Sequence, residues 1–212
     1  YAVIETLLSC NIKLKTLYCT QAHQEKALEL CSKQAITLVS DSVMEKISTT
    51  KTPSGLIAVF YKPKPEKKVQ APGLVLARLQ DPGNLGTLIR TAAAMNVKTV
   101  ICLETVDPYS PKVVQSTAGT IGCITILELS WHELIQLKRE LPLVALVVDG
   151  GDSIDTITSD ALLVVGSEAH GIPYEWLRNC SSKITLKMPG KTESLNAAVA
   201  GSIALYLIKE NS

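Results

Sequence analysis

From residue 74 onward the chain repeats one unit: a short apolar run, a polar corner, then a helical pattern. The apolar runs fall at 74–79, 99–103, 123–127, 143–148, 161–165 and 183–188. Several are apolar throughout, which a strand tolerates only when both its faces are covered. Helical patterns fall at 85–95, 111–117, 132–140, 174–179 and 195–208, and Ser130-Trp131-His132-Glu133 has the form of a capping box. Strands alternating with helices predict an α/β layer on a mostly parallel sheet.

Residues 61–73 break this rhythm, with three prolines and four lysines in 13 residues, and predict an extended, solvated linker. Ahead of it, helical patterns at 2–10, 22–33 and 42–47 alternate with strand patterns at 14–19, 36–39 and 56–60. The expected division is a small α/β domain over 1–61, a linker over 62–72 and a larger α/β domain over 73–212. The chain opens directly into a helix at Tyr1, so the front domain is expected to lack its first element. Residues 1–68 hold 10 lysines against 6 acidic residues, a net +4, whereas the whole chain carries +1. A basic front on a mildly acidic rear suggests a polyanionic partner such as a nucleic acid, with Lys62, Lys64, Lys67 and Lys68 as candidate contacts to it.

Composition excludes other classes. With 46% hydrophobic and 19% charged residues the chain is globular and not disordered. No apolar run reaches the roughly 20 residues of a membrane span. Cys10, Cys19, Cys31, Cys102, Cys123 and Cys180 are scattered without metal-ligand spacing. They predict reduced, mostly buried thiols, a cytoplasmic location and no metal centre.

Three corners carry the polar weight. The first, Asp81-Pro82-Gly83-Asn84-Leu85-Gly86, opens a helix in which Arg90 stands among Leu88, Ile89, Ala92 and Ala93. Asn84 reads as a cap for that helix, but capping does not call for the arginine. In the second, Glu168 follows an apolar strand between Gly166 and Gly171, where the backbone can turn sharply and approach a ligand closely. The third, Pro189-Gly190-Lys191-Thr192-Glu193-Ser194-Leu195-Asn196, offers Ser194 as a cap, with Asn196 at the mouth of a helix rich in small residues. A dinucleotide-binding corner would need three spaced glycines and an acidic residue about 20 positions on, and the first corner has two glycines. His170 reads as loop filler.

In order and spacing these corners resemble the signature of the SpoU (TrmH) RNA 2′-O-ribose methyltransferases of the SPOUT superfamily. Asn84, Gly86 and Arg90-Thr91-Ala92 match its first motif. Leu186, Met188, Gly190, Glu193, Ser194, Leu195 and Asn196 match its last. The resemblance implies a C-terminal trefoil knot, an exception to the un-knotted rule, and a homodimer. It implies S-adenosylmethionine held at Gly166, Leu186, Met188, Leu195 and Asn196. Catalysis would fall to Arg90, Asn84, Glu168, Ser194 and Asn196, with Glu168 pairing with Arg90. The front domain resembles the L30e-like substrate-binding domain of such enzymes, which favours ribosomal over transfer RNA. A tRNA enzyme, or a non-catalytic RNA-binding or assembly factor on the same fold, is the alternative. Lys187, Gln115 and Cys123 depart from the family, the last two standing where arginines are frequent.

Overall fold

The computed structural model describes residues 1–50, 52–154, 160–190 and 194–210. Two sheets organise the chain. In the front one, β1 (Leu14–Cys19) lies between β2 (Ile36–Leu38), parallel to it, and β3 (Leu56–Phe60), antiparallel. Helices α1 (Ala2–Ser9), α2 (Gln24–Leu30) and α3 (Asp41–Ile47) accompany these strands. The helix expected over 22–33 is broken: a 3-10 turn precedes α2, and Cys31 adopts extended backbone that ends it.

The second sheet has six parallel strands in the order β6-β5-β4-β8-β7-β9. They are β4 (Gly73–Ala77), β5 (Thr99–Leu103), β6 (Thr125–Glu128), β7 (Leu143–Leu146), β8 (Leu162–Gly166) and β9 (Ser182–Ile184). Leu74 and Leu76 face one buried layer while Val75 and Ala77 face the other, as two-sided coverage requires. Helices α4 (Pro82–Ala94), α5 (Pro111–Ser116) and α8 (Ala197–Glu210) bear on the first layer. Helices α6 (Trp131–Leu137) and α7 (Tyr174–Leu177) bear on the second, where Trp131 and Trp176 stack with centroids 4.8 Å apart. The capping box forms, with Ser130 Oγ accepting from the Glu133 amide and Glu133 accepting from the Ser130 amide.

Strand β9 stops short of the expected 183–188 because the chain turns aside to another loop. The Thr185 amide donates to the Asp152 carbonyl, and Thr185 Oγ1 accepts from the Gly151 amide. Position 123 belongs to a 3-10 turn (Thr120–Cys123) and not to a strand.

The linker is not free. Lys62 Nζ donates to Glu128 and Lys67 Nζ to Glu133, each at 2.6 Å, while Val69 is buried and the Gln70 amide donates to Thr99 Oγ1. The lysine, and then the Ser130 bonds, hold the Glu133 carboxyl down at about 2. Two of the four candidate RNA lysines therefore strap the linker to β6 and α6. The front layer is also joined to the rear one. Leu7 of α1 belongs to the rear core, and Gly119 and Gly122 lie so close to α1 that an added Cβ would meet Val3 O at 2.6 Å and Ile12 at 2.8 Å. Cys10 and Cys123 form a disulfide across this seam, so those two cysteines are not the reduced thiols expected. Removing the front domain would strip a side of the rear core.

Candidate active site

Chain order runs β4 to β5 to β6 on one side of β4, and β8 lies on its other side. The carboxyl ends of β4 and β8 thus flank the point where strand order reverses, the usual ligand crevice of open α/β sheets. The first two corners leave from those two ends.

At the first corner the helix begins earlier than expected. Asp81, not Asn84, is the cap: its Oδ1 accepts from the Asn84 amide at 2.7 Å, with Pro82 in the first turn. Asp81-Pro82 carried that signal in the sequence. The consequence is chemical, because the Asn84 side chain is released from capping and faces the other corners. At the third corner Asn196, not Ser194, caps α8, its Oδ1 accepting from the Ala198 and Val199 amides at 2.9 and 3.2 Å. Since helix N–H groups occupy that oxygen, Asn196 Nδ2 is the atom left to face outward, and it donates to Asn84 Oδ1 at 3.1 Å. Asn84 Nδ2 in turn donates to Glu168 Oε1. The three corners are therefore joined by a relay of fixed polarity, from the amino end of α8 through two amides to a carboxylate. Glu193 lies outside the described residues; Ser194 is exposed beside Asn196.

Arg90 stands apart. Six residues place it about 9 Å along α4 from Asn84 and about 120° around the axis. It is exposed, and among the described residues it forms no ion pair. The expected Glu168–Arg90 pair is replaced by Glu168–Asn84. Helix α8 is held against α4 by Thr91 Oγ1 and Ser202 Oγ at 2.9 Å, and by Gly201, whose Cβ would meet Leu88 at 2.6 Å. The small residues of α8 thus serve close packing.

The Glu168 loop is a tight turn in which the Ser167 amide donates to the Gly171 carbonyl at 3.2 Å and the Gly171 amide to the Ser167 carbonyl at 2.8 Å. Gly171 has φ +63°, and the exposed His170 contributes its backbone N–H to Ser167 Oγ. A Cβ on Gly166 would lie 2.4 Å from the Gly171 carbonyl carbon and 2.5 Å from the Ile172 nitrogen. A side chain at Gly166 would therefore break its own loop.

Leu186 and Met188 are half-buried beyond β9, Leu186 packing on the rear core, and Leu195 is exposed ahead of α8. The relay begins close to these three residues in sequence, at Asn196. Among the described residues no group of three or more His, Cys, Asp or Glu side chains is arranged to hold a metal ion. Asn196→Ala should remove both the cap and the donor to Asn84, and lower cofactor affinity about tenfold by calorimetry, near 1.4 kcal/mol.

Comparisons with known proteins bear on these corners. The SpoU rRNA Methylase family matches residues 72–206, and an MRM3-like substrate binding domain matches residues 1–58. An uncharacterized tRNA/rRNA methyltransferase of a Synechocystis strain is 35% identical over 80% of this chain and 65% of its own length. The Bacillus subtilis 23S rRNA (guanosine(2553)-2′-O)-methyltransferase RlmP is 28% identical over 81% of this chain and 71% of its own. The crystal structure of an AdoMet-bound rRNA methyltransferase from Sinorhizobium meliloti superposes with a TM-score of 0.85 at 26% identity, covering 99% of this chain and 85% of that one.

Proposed function

The chain belongs to the SpoU rRNA Methylase family, and from that premise we propose that it transfers a methyl group from S-adenosylmethionine to a ribose 2′-hydroxyl of structured RNA, ribosomal RNA in preference to transfer RNA. The observation that carries this reading is the Asn196–Asn84–Glu168 relay, built from the three corners that share the family motif. The rRNA enzymes among the relatives and the match of residues 1–58 to a substrate-binding domain support the choice of RNA. An RNA substrate accords with a cytoplasmic location.

When bound, S-adenosylmethionine supplies an electrophilic methyl group on a sulfonium centre. The chain's own residues must hold the ribose in line, withdraw the hydroxyl proton and exclude water. Gly166, Leu186, Met188, Leu195 and Asn196 hold the cofactor. Ser194 and the relay fix the edge of the site, with Asn84 keeping the Glu168 carboxylate in one orientation. Arg90 binds the phosphate beside the target ribose and stabilises the alkoxide that develops as the hydroxyl proton is lost, finally to solvent. A guanidinium holds its proton too firmly to serve as a base at neutral pH, so we assign Arg90 the role of cation.

The working unit in this reading is a homodimer. Val199, Ile203 and Tyr206 recur along α8 at spacings of four and three and are 39–50% exposed, a stripe suited to a second copy of the chain. Asn196 caps the helix that bears it, and Asn84 and Arg90 lie on α4, which packs against that helix. The loop 150–152 runs alongside the end of β9, with Asp152 bridged to Ile184 and Gly151 too close to Ile184 for a Cβ; the trefoil knot is carried over from the family resemblance alone.

Mapping 2′-O-methyl groups in total RNA with and without the gene tests the activity: loss of one rRNA site is expected, and an unchanged map counts against it. Lys64→Gln with Lys68→Gln should flatten the salt dependence of RNA binding, whereas Lys62→Gln and Lys67→Gln should chiefly loosen the linker. Filter binding across salt concentrations separates the pairs.

A further inference from the structure

Cys123 stands where the family frequently has an arginine, and here it is bonded to Cys10, the residue that follows α1. Their Cα atoms are 5.0 Å apart, inside the ordinary span for a disulfide. The bridge crosses the seam between the front layer and the rear core, where Gly119 and Gly122 leave no room for a side chain against α1. It joins residues 113 apart in sequence, so it restrains how one layer sits on the other. It is also reachable: Cys123 is exposed and Cys10 half-buried. A bond open to attack by an external thiolate exchanges readily, and in a reducing compartment such bonds are transient and redox-sensing.

The other four cysteines are different in kind. Cys19 and Cys102 are buried, and Cys31 and Cys180 half-buried. Burial pushes the thiols up, to about 12 for Cys102 and about 11 for Cys180. None of the four is paired with another cysteine.

We propose that the Cys10–Cys123 pair is a redox-modification site, a reversible latch that fixes the front domain on the catalytic layer and so sets RNA affinity. The affinity half of this rests on the function proposed above; the latch itself does not. Opening consumes a dithiol. One thiolate of the reductant attacks the Cys123 sulfur, the S–S bond breaks, and the Cys10 sulfur leaves as a thiolate and takes a proton. The second reductant thiol then displaces Cys123, and the reductant becomes a cyclic disulfide, having given two electrons and two protons. Closing runs through glutathione disulfide, which is reduced to two glutathione molecules.

The test uses the full chain, oxidised with glutathione disulfide or reduced with dithiothreitol. Alkylation under denaturing conditions should label four cysteines in the oxidised protein and six in the reduced one, with Cys10 and Cys123 linked in the former. Hydrogen exchange in α1 and in 120–123 should speed up at least tenfold on reduction. RNA affinity should fall at least threefold while cofactor affinity holds, and Cys123→Ser should stay at the reduced value under both conditions. Six labelled cysteines after oxidation, or equal exchange in the two states, overturns the latch. A closed latch with slowed exchange but unchanged RNA affinity overturns its regulatory role. Absence of RNA binding in either state counts against the proposed substrate and the affinity half together, and leaves the latch to be decided by thiol count and exchange.

Discussion

Arg90→Ala is expected to abolish methyl transfer, by a factor of about 10² to 10³ or more, while S-adenosylmethionine binding stays within a few-fold. The asymmetry follows from position. Arg90 is on the exposed side of α4, about 1.7 turns beyond Asn84 and outside the relay that ties the three corners together. It supports neither the cap of α4, which is Asp81, nor the glycine-tight loop of Glu168. Its removal should therefore leave fold and cofactor pocket intact and delete a cation from the place where the ribose and its phosphate would sit. Arg90→Lys should also fail, because a lysine is a point charge and cannot offer the planar fork to a phosphate. Single-turnover assays with calorimetry on the same samples check this. Near-normal turnover, or lost cofactor binding in a folded protein, would remove Arg90 from the site.

Gly166→Val is expected to act through the opposite route and to cost both binding and turnover. The first atom added would lie 2.4–2.5 Å from backbone atoms of Gly171 and Ile172, which cannot yield as a flexible side chain could. The two hydrogen bonds between Ser167 and Gly171 must then open, and Glu168 moves away from Asn84. Cofactor affinity should fall at least tenfold, about 1.4 kcal/mol, and the relay should lose its carboxylate end. Gly171→Ala makes the control. A Cβ there meets nothing within 4 Å, so only the φ of +63° opposes it, and the loss should be confined to stability. Unchanged cofactor affinity in folded Gly166→Val would place the pocket elsewhere.

How far these elements could be read in the sequence depended on what fixes each of them. The strands of the six-stranded sheet were legible because burial on both faces leaves a run such as Leu162–Gly166 almost no polar freedom. The corners were legible because polar residues stand out beside such runs. Their wiring was not. Asn84 and Ser194 both look like caps, and the competition was settled by neighbours: Pro82 in the first turn lets Asp81 begin α4, and Asn196 is two residues closer to α8 than Ser194. The Glu168–Arg90 pairing failed for a geometric reason, since Arg90 is turned away from Asn84 and the amide is the nearer donor. Long-range ties left no periodic trace at all. Lys62–Glu128, Lys67–Glu133 and Cys10–Cys123 join residues 66, 66 and 113 apart, and a lysine- and proline-rich stretch reads as solvated whether or not acids await it.

The central claim is that the three corners build a site for methylating a ribose 2′-hydroxyl, and one product analysis addresses it most directly. Ribosomal RNA from cells lacking the gene would be incubated with the protein and S-adenosylmethionine labelled in its methyl group, then hydrolysed in alkali. A 2′-O-methyl group blocks cleavage at its own nucleotide, so label on the ribose must survive in an alkali-resistant dinucleotide. The account predicts that the label is recovered there from the native protein and is absent with Arg90→Ala. Label recovered in mononucleotides, as a methylated base would give, or no label incorporated by a folded protein that binds the cofactor, would contradict it.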